Sequence, residues 1–278
     1  MKIKNNYIGM RTANELNLRV SVGVLVRVLF ENPENGRMMI ALERTATLRE
    51  IDDRYEVLVK VKPFGGGVWL SDPKTLKGLI GNFQYDSERS RQEEDFRIYI
   101  KPPAWDKIKD VCIEHFKDPG KRIIDSSPDR ELAEEFEDSL GMRITKDQYD
   151  LKQISLIFED LPSETNNLRA QGYPTVRGYY IFEALIKSSE IIRMMLSSNQ
   201  NYSNKNLQEM VWKDVEQGGK GRANAILTLY LDELKDLYSS IPIEKRINPV
   251  YIGEHQLDGN VPAIMTEFDH PKYKSYTL

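Results

Sequence analysis

Residues 126–141 read SSPDRELAEEFEDSLG and form the most clearly patterned segment of the sequence. Ser127 is a candidate N-cap, and Pro128 occupies the first helical position, where proline is favoured. Gly141 is a residue type that commonly ends a helix. The stretch therefore predicts one amphipathic helix. Its apolar arc consists of Leu132, Ala133, Phe136 and Leu140.

The opposite arc of this predicted helix carries four carboxylates. They are Glu131, Glu134, Glu135 and Asp138, at positions i, i+3, i+4 and i+7. Like charges at this spacing repel one another by about 0.2–0.5 kcal/mol per neighbouring pair, and a bound cation would reverse the sign. Hard cations such as Mg²⁺ or Mn²⁺ take carboxylate oxygens and leave positions open for phosphate. The arc is therefore a candidate metal site, and the alternative is a solvated acidic face.

Two segments resemble the Nudix hydrolase box. The residues RELAEE at 130–135 resemble its Arg-Glu-hydrophobic-x-Glu-Glu core, and PFGGG at 63–67 resembles the glycine turn that opens it. About sixty residues separate Gly67 from Arg130, far more than in the family pattern. Glu137 stands where the family usually has a glycine, so the helix is expected to be one turn longer. The resemblance therefore implies a large insertion before a lengthened helix.

The resemblance also implies roles for particular side chains. Glu134 and Glu135 would bind Mg²⁺ or Mn²⁺, and Glu131 would be a further ligand or would orient the attacking water. Arg130 would hold the glutamates through an ion pair, and the longer helix would bring Asp138 to the metal. The glycines that would shape the turn toward the phosphates are Gly65, Gly66 and Gly67.

The function implied is that of a divalent-metal-dependent hydrolase. It would cleave the phosphoanhydride bond of a nucleoside diphosphate linked to another moiety, by attack of a water whose pKa the metal lowers. The alternative is a non-catalytic nucleotide-binding sensor or scaffold, because a fold does not dictate a function. The sequence contains no Rossmann fingerprint or P-loop. His115, His255 and His270 show no metal-ligand spacing and no evident serine or cysteine partner, which argues against a hydrolase triad.

Composition narrows the class of protein and its partners. The chain has 278 residues, 40% of them hydrophobic, and a net charge of −4, which argues against nucleic acid as the main partner. Cys112 is the single cysteine and permits no internal disulfide, as expected in a reducing cytoplasm. No apolar run is long enough to span a membrane, and no signal-peptide core is present.

Strands are predicted on both sides of the acidic helix. Residues 18–30 and 37–44 form two strands joined by a hairpin turn at 32–36, and a charged hinge precedes a third strand at 55–62. Later strands are predicted at 151–160 and 175–187. In the last strand, alternation places Arg177 and Tyr179 on a face that could reach substrate, although core packing is the alternative for an aromatic ring.

The predicted fold class is α/β. We expect a Nudix-like α/β/α sandwich with a mixed sheet, an inserted small lobe and a C-terminal helical extension. Residues 1–240 would form this domain. The insert at about 70–125, with a strand at 96–100 and a helix from 105 to 116, would either cap the site or have no catalytic role.

Residues beyond 200 carry three further predictions. Residues 223–238 are expected to form a buried helix. The basic loop GGKGR at 218–222 would either bind phosphate or be a plain connecting turn. Residues 241–278 would form an extended tail that wraps the domain or reaches the second subunit of a homodimer.

Overall fold

The computed structural model describes residues 16–51, 54–120, 123–164, 172–201, 203–246 and 249–277. In these residues a mixed sheet of twelve strands is packed against helices, which makes the fold α/β. A separate two-stranded sheet pairs two short strands of the insert. Among the described helices, none is both long enough and apolar enough to cross a membrane.

The elements up to the acidic helix include eight strands. These are β1 (Leu18–Glu31), β2 (Met38–Ile51), β3 (Arg54–Lys62), β4 (Phe64–Gly67), β5 (Trp69–Leu70), β6 (Gln84–Tyr85), β7 (Arg97–Ile100) and β8 (Ile124–Asp125). The helices of the same part are α1 (Pro73–Ile80), α2 (Glu88–Gln92), α3 (Ala104–Lys117) and the acidic helix α4 (Pro128–Leu140).

The remaining elements complete the sheet and cover it. The strands are β9 (Tyr149–Ser163), β10 (Thr175–Ile186), β11 (Arg222–Tyr230), β12 (Val250–Ile252), β13 (His255–Leu257) and β14 (Lys274–Tyr276). The helices are α5 (Ser189–Asn201), α6 (Asn204–Glu216), α7 (Leu231–Ser240) and α8 (Val261–Ile264).

Strand β1 is the centre of the sheet. Its run of β-branched and apolar residues suits a strand buried on both faces, and nearly all of its side chains are buried. One edge pairs in parallel with β10 from Arg19 to Leu29. The other edge is shared by three antiparallel partners in turn: β7 at its start, β4 in its middle and β2 at its end. The long strand therefore brings the glycine segment and the insert side by side.

Helix α4 lies where the sequence predicts it. Pro128 is its first residue, and Gly141 ends it in the left-handed conformation with φ 71°. Leu132 and Phe136 are fully buried, and the Phe136 ring stacks on Phe64 of β4 with centroids 5.2 Å apart. The Ser127 hydroxyl, however, caps no N–H of the described helix. Packing of the apolar arc on β4 thus holds the acidic helix against the glycine segment.

Two segments that the sequence analysis predicted as connections between elements, a hinge and a turn, belong to strands in the structure. The charged hinge after residue 44 does not exist, because β2 continues to Ile51 and pairs with β3 as far as the pair Ile51 and Arg54. Alternation in this charged segment matches a two-stranded ribbon that extends beyond the core. The predicted glycine turn is strand β4, in which Gly65, Gly66 and Gly67 pair with β1.

The prediction of a helix at residues 223–238 is wrong for the first half of that segment. Residues Arg222–Tyr230 form β11, which pairs with β2 along its whole length, and only α7 after it is helical. A short apolar run is compatible with either a helix or a buried strand. Here the run pairs with an edge of β2 that would otherwise be open, and this pairing makes it a strand. Helix α5 forms in a segment for which the sequence predicted no element.

The insert and the C-terminal residues both join the main sheet. The strand and the helix predicted in the insert are confirmed as β7 and α3, and β7 pairs with β1. At the C-terminus β13 pairs with β3, β14 pairs with β9, and the α8 side chains are buried. Both segments therefore belong to the same layered structure as the core.

Candidate functional site

A cavity of about 360 Å³ opens beside α4, where β4 and the insert meet. The acidic helix supplies one wall, and the first half of the insert supplies the others. The side chains and glycine that line it are Gly67, Trp69, Arg89, Glu93, Asp95, Arg97, Arg130, Glu131 and Glu134. The insert therefore takes part in forming the cavity.

The three glycines of β4 each stand where a side chain would not fit. Gly65 has φ +140°, a conformation that other residues rarely adopt. A Cβ atom on Gly66 would lie 1.9 Å from Oε2 of Glu131. A Cβ atom on Gly67 would lie 2.1 Å from Oδ1 of Asp95. The glycines thus allow two carboxylates to approach the backbone of β4.

Arg130 connects two glutamates of its own helix with the glycine strand. Its guanidinium forms an ion pair with Glu131 and a second, at 3.3 Å, with Glu134. It also donates a hydrogen bond to the carbonyl oxygen of Gly67 at 3.3 Å and lies over the Trp69 ring, 4.3 Å from its centroid. The structure therefore places Arg130 in contact with two of the predicted glutamates and with the glycine strand.

Burial makes two carboxylates of the cavity, Glu131 and Asp95, hold protons more tightly. Glu131 is only 6% exposed, so burial raises its pKa, with Arg130 opposing and the charge of Glu134 adding to the shift. Burial likewise raises the pKa of Asp95 despite its ion pair with Arg97. Oδ1 of Asp95 is buried and accepts no hydrogen bond from the described residues. A cation bound in the cavity would offset the free-energy cost of burying these carboxylates in their charged form.

The sequence analysis missed Asp95. It comes from a polar segment of the insert with no motif around it, and it reaches the cavity only because β7 pairs with β1. No feature of the one-dimensional sequence indicates that pairing partner.

Glu135 belongs to a second cluster on the other side of α4. Lys62 Nζ lies 2.7 Å from Oε2 of Glu43 and 3.6 Å from Oε1 of Glu135. Burial and then Glu43 raise the pKa of Glu135 to about 8. Burial alone would raise the pKa of Glu43 too, but Lys62 and hydrogen bonds hold it below its ordinary value. Glu135 is therefore protonated at neutral pH and shares its proton with Glu43.

The four acidic residues predicted as metal ligands thus point in different directions. Glu131 and Glu134 line the cavity, Glu135 contacts Glu43, and the largely exposed Asp138 lies 3.8 Å from Arg222. Among the residues that the structure describes, no group of three or more acidic, histidine or cysteine side chains is arranged to hold a metal ion. The sequence analysis placed all four carboxylates on one arc of the helix; in the structure Glu131 is buried and Glu135 lies beside Lys62 and Glu43.

A larger groove of about 1200 Å³ shares Arg89 and Arg97 with the cavity. Arg177 lines it, and its Nη1 donates hydrogen bonds to Glu159 at 3.0 Å and Ser163 at 2.6 Å. Tyr179 does not line it. That side chain is 8% exposed, packs in the core and donates a hydrogen bond to Asn260.

One histidine has a serine neighbour that the sequence analysis did not find. Nε2 of buried His115 lies 3.2 Å from Oγ of Ser126, and the imidazole packs edge-on against Tyr180. Both residues line a separate cavity of about 540 Å³ near the start of α4. The pair was not evident because α3 and a loop bring together residues that are eleven positions apart.

Comparison of the chain with protein-family models, with curated proteins and with solved structures finds no match. The function must therefore be inferred from the chemistry of the cavity and its surroundings.

Proposed function

We propose that this chain is a divalent-metal-dependent hydrolase of the Nudix type. It cleaves the phosphoanhydride bond of a nucleoside diphosphate linked to another moiety. The observation that carries this proposal is the close approach of Glu131 to Gly66, with Arg130 joining Glu131 to Glu134 and to the carbonyl oxygen of Gly67. Two segments about sixty residues apart in sequence thus meet in one cavity.

We also propose that the α/β fold is of the Nudix type. A Nudix-like α/β/α sandwich is supported by the mixed sheet and by the packing of α4 on β4. The insert would act as a cap, since it supplies Trp69, Arg89, Asp95 and Arg97 to the cavity. The reducing cytoplasm expected from Cys112 and the homodimer expected from the C-terminal residues remain predictions.

The residues that would hold the metal are Glu131 and Glu134; Asp95 lines the same cavity, but in the described residues the three carboxylates are not already arranged as a metal site. Their oxygens are the ligand type that Mg²⁺ and Mn²⁺ prefer, and the unpaired Oδ1 of Asp95 supports the fit. When bound, such a cation neutralises phosphate charge and lowers the pKa of a water. Glu135 and Asp138 lie outside the cavity, so we expect their contribution to be smaller.

The basic side chains have separate roles in this proposal. Arg89 and Arg97 line both the cavity and the groove. A guanidinium group can donate two parallel hydrogen bonds to two oxygens of one phosphate. Arg130 positions Glu131 and Glu134 through its ion pairs and is itself held by Trp69 and the Gly67 carbonyl. The chain thus supplies acidic and basic groups on facing walls of one cavity.

A second candidate function is a nucleotide sensor without catalysis. It is favoured by two observations: Arg130 already forms ion pairs with both Glu131 and Glu134, and in the described residues no three acidic side chains are arranged to hold a metal ion. A sensor would use the same arginines to bind phosphate without hydrolysis.

The experiment that separates the two is turnover of a panel of nucleoside diphosphate derivatives with Mg²⁺ or Mn²⁺. We expect metal-dependent release of a nucleoside monophosphate, and a loss of about 10²–10³ in kcat for Glu134→Gln, since charge stabilisation of the transition state is removed. Glu137→Gln is the matched control, because Glu137 is on the same helix, exposed, and paired with Arg143 outside the cavity. Tight nucleotide binding without any turnover would favour the sensor.

A further inference from the structure

The separate cavity near the start of α4 has the size of a small-molecule site. Its volume is about 540 Å³, within the range of about 300–1,000 Å³ that is common for such sites. It lies between α3, the loop before α4 and the strands β9 and β10, which contribute His115, Ser126, Gln153 and Phe182. It shares no lining residue with the cavity beside β4, so its chemistry can be considered by itself.

The hydroxyl of Ser126 and the imidazole of His115 form a potential nucleophile and base in this cavity. Nε2 of His115 lies 3.2 Å from Oγ of Ser126. A serine is a weak nucleophile unless a neighbouring base accepts its proton, and the distance required is about 2.6–3.2 Å, often longer without substrate. Ser126 is half-buried, whereas His115 is only 5% exposed. A ligand in the cavity can therefore reach the hydroxyl, while the base behind it is shielded from bulk water.

Packing fixes the position of this imidazole. The ring of the fully buried Tyr180 lies at 86° to it, with the centroids 5.4 Å apart. The Tyr180 hydroxyl donates a hydrogen bond of 3.1 Å to the carbonyl oxygen of Cys112, which is on the same helix as His115. Strand β10 thus holds both α3 and the imidazole that α3 carries. A base fixed in advance is what general-base catalysis requires.

The start of α4 lies next to the hydroxyl. Pro128 is the first residue of the helix, so Ser126 precedes the helix by two positions. The side chain of Ser127 forms no hydrogen bond with the N–H groups of the first turn. These N–H groups and the helix dipole favour negative charge at this end of the helix. The oxyanion that forms when a serine attacks a carbonyl group is a charge of that kind.

The side chains of the cavity favour an uncharged substrate. Among the described residues that line it, only His115 and Asp125 are ionisable. The carboxylate of Asp125 accepts a hydrogen bond from the N–H of Ser127 at 3.1 Å, and its charge repels a phosphate. Ile124 and Phe182 provide apolar surface against which an acyl group can pack. These features favour a carboxylic ester with a small apolar acyl group.

From these observations we infer that the cavity is a second active site, in which Ser126 is the nucleophile and His115 the general base of an esterase. Oγ of Ser126 forms a bond to the carbonyl carbon of the ester while its proton passes to Nε2 of His115. The bond from that carbon to the ester oxygen then breaks, and the leaving alcohol takes the proton from His115.

The second half of the reaction restores the serine. A water molecule attacks the carbonyl carbon of the acyl-serine while His115 accepts a proton from it. The bond from that carbon to Oγ of Ser126 breaks, Oγ takes the proton back, and the carboxylic acid is released. This activity goes beyond the proposed function and uses none of its residues.

Labelling with an alkyl fluorophosphonate in the presence of EDTA tests the inference. This reagent transfers its phosphonyl group to an activated serine with loss of fluoride, and mass spectrometry of the peptides identifies that serine. We expect one adduct per chain, on Ser126, and no adduct in Ser126→Ala. Ser127→Ala is the matched control and should be labelled at the rate of the unmodified protein, because Ser127 is the adjacent serine and lines the same cavity.

Hydrolysis of p-nitrophenyl butyrate in EDTA gives a second measurement. We expect Ser126→Ala to abolish the release of p-nitrophenol above the rate in buffer alone. His115→Gln should slow it by about 10²–10⁴-fold, the contribution of a positioned general base. Circular dichroism shows which variants are folded. Because His115 is buried, the two serine variants decide the inference if the histidine variant does not fold.

Three results would overturn the inference. They are an unmodified protein that takes up no label, a Ser126→Ala variant labelled as fast as the unmodified protein, and a folded His115→Gln variant with full activity. Because EDTA is present throughout, none of these results bears on metal-dependent cleavage of a phosphoanhydride bond, and the proposed function stands or falls by its own experiment.

Discussion

Replacing Glu135 by glutamine should make the protein less sensitive to alkaline pH. Burial and the neighbouring Glu43 raise the pKa of Glu135 from an ordinary value of 4.5 to about 8. Because the folded state holds this proton more tightly, the stabilisation is complete below pH 4.5 and is lost as the pH rises toward 8. Glutamine cannot ionise, and its amide can donate to Glu43 as the protonated acid does.

The magnitude follows from the difference between the two pKa values. A difference of about 3.5 pH units, at about 1.4 kcal/mol per unit, sets an upper limit on the order of 5 kcal/mol. We therefore expect Glu135→Gln and the unmodified protein to be equally stable near pH 5. At pH 8.5 the variant should be more stable by several kcal/mol, because the unmodified protein must then ionise a buried acid beside Glu43.

Urea unfolding at pH 5, 7 and 8.5 in the presence of EDTA measures this difference. Glu137→Gln serves as the control, since Glu137 is exposed on the same helix and should leave the pH dependence unchanged. If the free energy of unfolding of Glu135→Gln fell with pH as steeply as that of the unmodified protein, the shared proton between Glu135 and Glu43 would be refuted.

Three further predictions concern the contact between α4 and β4. Gly66→Ala should destabilise the protein by about 1–3 kcal/mol in chemical denaturation, because the new Cβ would lie 1.9 Å from Glu131 Oε2; Gly78→Ala, with open space around its Cβ, is the control. Phe136→Ala should cost about 3–5 kcal/mol in the same assay, since it removes a fully buried ring stacked on Phe64, and a cost below 1 kcal/mol would contradict this packing. Mg²⁺ affinity in titration calorimetry should rise from pH 5 to 7 with release of protons, because the pKa of Glu131 is raised; an affinity independent of pH would argue against this ligand.

The sequence predicted the elements whose own residues specify them. Helix α4 was predicted with its first residue and its end, because proline, glycine and the period of the apolar residues agree. Strands β1, β9 and β10 were predicted because their apolar, β-branched and aromatic residues favour a strand. Local chemistry is sufficient where propensity and pattern point to the same structure.

The sequence could not predict what depends on distant pairing. Residues 223–230 have an apolar pattern compatible with a helix, and only the open edge of β2 makes them a strand. Asp95 reaches the cavity through the pairing of β7 with β1, and Glu43 meets Glu135 because α4 packs on the sheet. The sequence analysis named candidate residues in the acidic helix, in the glycine segment at 65–67 and at Arg177 and Tyr179. It could not name Asp95 or Glu43, because their places beside α4 depend on strand pairing and packing.

Hydrolysis in ¹⁸O-labelled water tests whether the carboxylates of α4 support cleavage of a phosphoanhydride bond. With Mg²⁺ or Mn²⁺ present, we expect one ¹⁸O atom on a phosphoryl product of a nucleoside diphosphate derivative, and we expect Glu134→Gln to abolish the labelled product. EDTA should abolish it in the unmodified protein. A folded protein that binds such a derivative tightly in the presence of metal, yet releases no labelled product from any member of a broad panel, would contradict the claim.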